Sequence, residues 1–173
     1  MGDDRRFSVL ADFVRRNFPP ERLPRVADVA GGTGLLTLEL LRRGYKPVVI
    51  DPRRSGLPKS IRKQERKAAL KTGKFLRPIF LNRPVGQADL ADFDLLVGLH
   101  PDEATEPLAE LAAEKPVVLV PCCNKGFGIA SHGSPNATET VRRIWKRLRL
   151  DWRETLLPMT GKNVVLWTDS TRV

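Results

Sequence analysis

Two aspartates separated by a glycine-rich turn are the residues of this sequence best placed to grip a polar ligand. In "RVADVAGGTGLLTLELLRRGYKPVVIDPR", Arg25 to Arg53, Asp28 precedes Gly31, Gly32 and Gly34, and Asp51 ends the following apolar run. The glycines permit positive φ and let a ligand reach the backbone without side-chain obstruction, while the amides that open the next segment offer unpaired N–H groups to a negative group. A carboxylate in the position of Asp51 can hold both hydroxyls of a ribose. Together these features imply a ligand that carries a nucleoside. A second set of reactive types lies in "GLHPDEATE", Gly98 to Glu106, where the imidazole of His100, a side-chain type suited to proton transfer, is the candidate base, with Asp102 beside it. A third is "RRSGLPKSIRKQERKAALKTGKFLR", Arg53 to Arg77, with ten Lys or Arg and one acid, Glu65.

Such residues need a scaffold, and the apolar periodicity supplies one. Phe7, Leu10, Val14 and Phe18 share one helical face with Arg15 and Arg16 outside it, and Pro19 and Pro20 end the helix. "RVADVA" reads as a buried strand, "LLTLELLRR" as a helix closed by Gly44, and "KPVVID" as another buried strand. The alternation continues with a basic helix over Lys59 to Thr72, strands around Phe75 to Phe80 and in "FDLLVGL", a helix after Thr105, and the strand "KPVVLVP". Pro107 fits only the first turn of that helix, so His100 to Ala104 are expected in a loop. A further helix starts at Ser134 or Asn136, and "DWRETLLPM" with "KNVVLWTD" forms an antiparallel hairpin about Thr160, Gly161 and Lys162. The whole reads as one α/β domain over residues 1–173: a doubly wound, mostly parallel sheet of about seven strands, covered on both faces, with a C-terminal antiparallel hairpin.

Composition narrows the partners. The chain has 173 residues, 41% hydrophobic and 6% aromatic, and its apolar runs fall well short of the roughly 20 residues that span a bilayer. No membrane partner is expected, and "MGDDRRFSVLADF" does not read as a secretory signal, so the expected compartment is the cytoplasm. The only cysteines, Cys122 and Cys123, are adjacent and not spaced for zinc, which predicts a reduced, metal-free protein. Thirty Lys and Arg against twenty Asp and Glu give +10, a balance that favours a polyanion. On the basic helix, Lys59, Lys63, Lys67 and Lys71 fall four apart on one face, where each like-charged pair costs a few tenths of a kcal/mol unless an anion relieves it. With Arg53, Arg54, Arg62 and Arg66 they form the expected nucleic-acid-binding set. The apolar remainder of that helix, Ile61, Ala68, Ala69 and Leu70, is thin, so the helix is either loosely packed or ordered by its partner. A second cluster, Arg142, Arg143, Lys146, Arg147 and Arg149, surrounds Trp145 and Trp152, which read as core.

From Asp28 onward, "DVAGGTG" closely resembles the first motif of class I S-adenosylmethionine-dependent methyltransferases, with Ala30 where a glycine is frequent. The resemblance covers the sheet from Arg25 onward, and the terminal hairpin agrees with that family's reversed last strand. It implies S-adenosylmethionine as cofactor, with Asp28 organising the methionine amino end and Asp51 the ribose. Ala30, Gly31, Gly32 and Gly34 would form the cofactor turn, Pro52 would adjoin Asp51, and Phe80, Leu81 and Leu99 would line the adenine side. A dinucleotide fingerprint fits poorly, because "GTGLLT" puts Thr37 where close helix packing asks for a third small residue.

The pairing of "LHPDEATE" with the later "PCCNK" resembles a subgroup of class I enzymes that act on RNA, including a tRNA 2′-O-methyltransferase family. Here Glu106 stands where that group more often has Asp, and its Cys-Gly pair is absent. The "NPPY"-type loop of many amine methyltransferases is absent too. The expected function is methylation of structured RNA, tRNA or rRNA, with His100 and Asp102 at the transferring methyl, and with a partner subunit as one source of specificity. The rivals are a small-molecule methyltransferase and a non-catalytic RNA-binding subunit on the same fold.

Overall fold

The computed structural model describes residues 5–53, 55–122 and 136–169. Arg54, Cys123 and Ser134, each singled out in the sequence, lie outside the described residues. Seven strands form one sheet in the order β3-β2-β1-β4-β5-β7-β6. In chain order they are β1 (Arg25–Val29), β2 (Lys46–Ile50), β3 (Ile79–Leu81), β4 (Leu95–Leu99), β5 (Val117–Val120), β6 (Arg153–Leu156) and β7 (Val164–Trp167). The first five run parallel. β7 then enters antiparallel between β5 and β6, completing the expected hairpin.

The helices divide between the faces because the strand pleat divides the side chains. Val26 of β1 joins a core with Leu10, Phe13 and Val14 of α1 (Arg6–Asn17) and with Leu36 and Leu40 of α2 (Leu35–Arg42). Ala27 and Val29 point the other way, to α4 (Thr105–Leu111) and α5 (Ala137–Arg147). Asp28, in phase with Val26, therefore turns toward α2. The ring of Phe13 meets Trp167 edge-on at 5.0 Å between centroids. On the opposite face, the fully buried Trp145 donates its indole N–H to the Ala109 carbonyl at 2.9 Å.

The expected strand over Phe75 to Phe80 is shorter and displaced. Pairing with β2 begins at Ile79 opposite Val48. Pro78, with no N–H, cannot extend the ladder. The basic helix α3 (Lys59–Thr72) matches its expected span, and its one buried residue is an acid, Glu65, held by Arg42 of α2. No helix among the described residues is long and apolar enough to cross a membrane.

Candidate active site

The chain runs outward from β1 to β2 and β3, then returns to β4 on the other side of β1, so the crevice at the carboxyl ends of β1 and β4 is the topological switch point. The glycine turn lies there. Ala30, Gly32 and Gly34 all have positive φ, at 54°, 53° and 79°. Gly31 is required for a different reason: a Cβ there would stand 2.5 Å from the carboxyl carbon of Asp28, so the turn lies directly on that side chain.

Asp28 is 1% exposed. Its Oδ2 accepts the Thr37 amide at 3.1 Å and the Thr37 hydroxyl at 2.7 Å, while Oδ1 is buried and has no hydrogen-bond partner among the described residues. Burial pushes the carboxyl up to about 7, the Thr37 hydrogen bonds oppose that rise, and the nearby Asp51 charge adds to it. Asp28 lines a cavity of about 180 Å³ with the turn, Leu36, Leu99 and His100. Arg6 and Phe7 of α1 complete the lining, with the guanidinium carbon 4.7 Å from the Phe7 ring centre. A cavity of this size takes one end of a cofactor, not the whole, since ligand pockets usually run to about 300–1,000 Å³. Its chemistry is that of a zwitterion's complement: an unsatisfied carboxylate oxygen for a cation and an arginine for an anion.

Asp51 ends β2, is 2% exposed, and differs from Asp28 in every respect that matters for charge. Its Oδ2 accepts the Gly32 amide at 3.0 Å and an Arg53 guanidinium N–H at 2.9 Å; its Oδ1 accepts the Arg53 amide and Nε. Burial pushes this carboxyl up, but the Arg53 side chain, the Arg53 and Gly32 amides and the Arg53 charge outweigh it and hold Asp51 below the usual carboxylate range. Arg53 also feels the charges of Asp102 and Glu103, which belong to the loop after β4.

That loop is strained in a directed way. His100 and Asp102 both adopt positive φ, at 54° and 46°, a conformation that costs an L-residue and recurs at functional sites. The His100 amide donates to the Val120 carbonyl at 2.9 Å, and its Nε2 lies 3.0 Å from the Lys162 carbonyl. A carbonyl can only accept, so Nε2 carries a proton, and in the neutral ring Nδ1 is then the atom with the lone pair. The Cys122 thiol donates to Asp102 Oδ1 at 2.9 Å, and Thr105 Oγ1 donates to the Asp102 carbonyl at 2.7 Å. These bonds tie the ends of β4 and β5 together.

Several solved structures with this fold are described as methyltransferases, and one as a putative hemolysin from Lactococcus lactis. A methyltransferase from Geobacter sulfurreducens is 19% identical, aligned over 96% of this chain and 80% of its own, with a TM-score of 0.54. The 1,6-didemethyltoxoflavin-N1-methyltransferase of Burkholderia thailandensis, solved with S-adenosylhomocysteine, is 16% identical over 95% of this chain and 77% of its own, at a TM-score of 0.52. The plantazolicin methyltransferase BpumL, in complex with SAH, is 11% identical over 96% and 82%, at 0.53. The fold is that of the class I methyltransferases. Against two longer O-methyltransferase neighbours the chain spans 55% of their length. At these identities the likeness is one of fold; no family model matches the sequence, and no curated protein matches it.

Set on this methyltransferase fold, the expected site residues fall into three groups. Asp28, Ala30, Gly31, Gly32, Leu99 and His100 line one cavity, with Gly34 at the head of α2 and Asp51 joined to the turn through Gly32. Pro52 is exposed beside Asp51. Phe80 and Leu81 are parted by the pleat of β3. As neighbours in a strand they face opposite sides: Phe80 packs toward Gly34, where a Cβ would stand 2.9 Å from its ring, and Leu81 joins the core under α4 and α5. Among the expected RNA-binding residues, Lys59, Arg62, Lys63, Arg66, Lys67 and Lys71 are all exposed on α3, and none makes an ion pair among the described residues. Arg53 departs from that set, because its guanidinium is engaged by Asp51.

Several residues of the site escaped the sequence. Thr37, read only as a misfit to a dinucleotide motif, is the anchor of Asp28. Arg6, Phe7 and Lys162 come from the two ends of the described chain, and nothing local in their sequence marks them. Arg53 alone carried a signal, a cation two residues after an acid.

Proposed function

We propose that this protein is an S-adenosylmethionine-dependent methyltransferase whose acceptor is RNA. The observation that carries the cofactor assignment is the buried, unpartnered Oδ1 of Asp28 in a small cavity shared with Arg6. Such an atom costs free energy unless a ligand cation meets it. The residues fit the group: Asp28 suits an α-ammonium, Arg6 an α-carboxylate, Gly31 leaves the carboxyl uncovered by side chain, and Asp51 suits the ribose hydroxyls once Arg53 yields them. Bound there, S-adenosylmethionine supplies an electrophilic methyl on a cationic sulfur, open to in-line displacement.

The chain's own contribution is alignment and proton transfer. For a hydroxyl acceptor, His100 takes the departing proton on Nδ1, while Lys162 fixes the tautomer from the other side of the ring. For a ring-nitrogen acceptor no base is required, and His100 and Asp102 position the nucleotide. Asp102, braced by Cys122 and Thr105, keeps this loop in its strained shape.

RNA as acceptor rests on the unneutralised cations of α3, the helix that connects β2 to the edge strand β3. A small-molecule acceptor is the second reading, favoured by the toxoflavin and plantazolicin enzymes among the structural neighbours. Calorimetry with S-adenosylmethionine, and separately with NAD, on the parent and on Asp51→Ala tests the cofactor. Binding of the sulfonium compound that weakens in the variant supports the reading, and binding of NAD alone rejects it. Transfer of labelled methyl to RNA pools, unaffected by small-molecule extracts, supports the acceptor; transfer only to small molecules overturns it.

A further inference from the structure

A second, larger cavity of about 510 Å³ opens between α3, the segment after β2 and the stretch leading into β3. Three guanidinium side chains line it, from Arg62, Arg66 and Arg77, and none of them makes an ion pair among the described residues. The one acid in its lining, Glu65, is bound to Arg42 of α2 and leaves these cations without a counter-charge. Like charges gathered on one concave surface repel, and an anion entering between them relieves the repulsion.

Charge is only half of the lining. Phe75 also lines this cavity and is 53% exposed, whereas every other aromatic ring among the described residues is buried or half-buried. A free phosphate or another small anion would leave that ring unused. A purely apolar partner would have to bury three unpaired arginines, at a prohibitive desolvation cost. A nucleotide in a single strand carries both complements, a flat π-face and flanking phosphates, and an aromatic ring beside a cationic groove is how such strands are held without base pairing.

The cavity is also joined to the glycine turn. Ser55, in its lining, donates its hydroxyl to the Gly32 carbonyl, and Phe80, also in its lining, packs against Gly34. A strand seated here therefore lies against the back of the turn that carries Asp28 and meets Asp51.

We propose that this cavity binds a nucleotide of single-stranded RNA flanking the acceptor, with its phosphates on Arg62, Arg66 and Arg77 and its base stacked on Phe75. The proposal rests on the reading of RNA as substrate and adds where the strand is held beyond the reacting nucleotide. It assigns α3 a local task, gripping one looped-out or terminal stretch, beside the diffuse attraction of its lysines for a polyanion.

The test is fluorescence anisotropy of a labelled single-stranded oligoribonucleotide of about twelve nucleotides, titrated with the parent, Phe75→Ala, the triple variant Arg62→Ala/Arg66→Ala/Arg77→Ala, and Arg143→Ala on α5 as control. The substituted cavity residues are exposed, and retained circular dichroism with unchanged S-adenosylmethionine binding shows that each variant is folded. Phe75→Ala should weaken binding about tenfold with little change in salt dependence. The triple variant should lower the salt slope by about two. Arg143→Ala should bind as the parent does. A parent that binds and a Phe75→Ala protein that binds equally well overturn the stacking site while leaving RNA as the substrate. A triple variant with the parent's salt slope overturns the phosphate contacts in the same way. A parent that binds no RNA removes the substrate reading, and the cavity proposal with it.

Discussion

The helices α3 and α5 are both strongly basic in sequence, and the structure treats them in opposite ways. On α5, Arg142 pairs with Glu154 of β6 and Glu139, Arg143 with Glu139, and Arg147 with Glu110 of α4. Its inner face buries Ala137, Val141, Ile144 and Trp145, and the Asn136 side chain caps it by accepting the Glu139 amide at 2.9 Å. On α3, by contrast, Lys59, Arg62, Lys63, Arg66, Lys67 and Lys71 have no acidic partner among the described residues, no side chain caps the start, and the one buried residue is Glu65. Leu70 stands 88% exposed. The lesson concerns how charge is read: a count of cations marks both helices alike, while the pairing shows that the arginines of α5 are satisfied by the fold and the cations of α3 are not.

The largest expected effect would break the comparison on the side of packing. Trp145→Ala on α5 should cost about 3–5 kcal/mol in urea unfolding, through the lost ring and its hydrogen bond, whereas Leu70→Ala on α3 should stay within about 0.5 kcal/mol. Comparable costs would mean that α3 is a packed element after all. Next comes the charge itself. Replacing Lys59, Lys63, Lys67 and Lys71 by Gln should reduce the salt slope of RNA binding by about three and leave the fold as stable as before or a few tenths of a kcal/mol more so. Exchanging Arg143 and Lys146 of α5 for Gln should leave that slope unchanged.

A pH titration asks whether the cofactor cavity is independent of both basic surfaces. Because the Asp28 carboxyl is raised to about 7, it holds a proton below that pH and meets an α-ammonium poorly. Affinity for S-adenosylmethionine should therefore fall about tenfold per unit as pH drops below about 7, with a proton released on binding that calorimetry in buffers of different ionisation enthalpy detects. The same shift sets a stability trend of opposite kind: the folded state binds more protons than the unfolded one, so this group's contribution falls as pH rises from about 4 to about 7 and is flat above. Asp28→Asn should abolish the pH dependence of stability in that window. The smallest effect belongs to Arg53. Arg53→Ala frees the Asp51 oxygens and should tighten cofactor binding by a few fold, read by the same calorimetry; weaker binding would show that Arg53 itself holds the cofactor.

What could be read from the sequence was what neighbours in the sequence decide. The strand, glycine turn, helix and strand from Arg25 to Asp51 follow from apolar periodicity and turn chemistry over a few residues, and Asp28 and Asp51 follow from their places in that unit. The α3 span was legible because its ends are marked by Pro58 and Gly73. The start of β3 was misplaced because a strand from Phe75 was expected, whereas Pro78 delays pairing to Ile79, and the pleat then sends Phe80 and Leu81 to opposite faces. The pairs that separate α5 from α3 join elements distant in sequence: Arg142 to β6, Arg147 to α4, Glu65 to α2. Such partners are set only when the sheet order is. The Asp102 and Cys122 bond is of the same kind, made by the adjacency of β4 and β5.

The contact between Phe13 and Trp167 has a bearing on how the protein is made. A ribosome delivers α1 before β7, so Phe13 waits through the synthesis of six strands for the ring it packs against. The roof that Arg6 and Phe7 place over the Asp28 cavity is therefore finished only after the last strand has slotted between β5 and β6. Nascent chains stalled before β7 should have no working cofactor site, and competence for ligand is gained once β7 joins the sheet and meets α1.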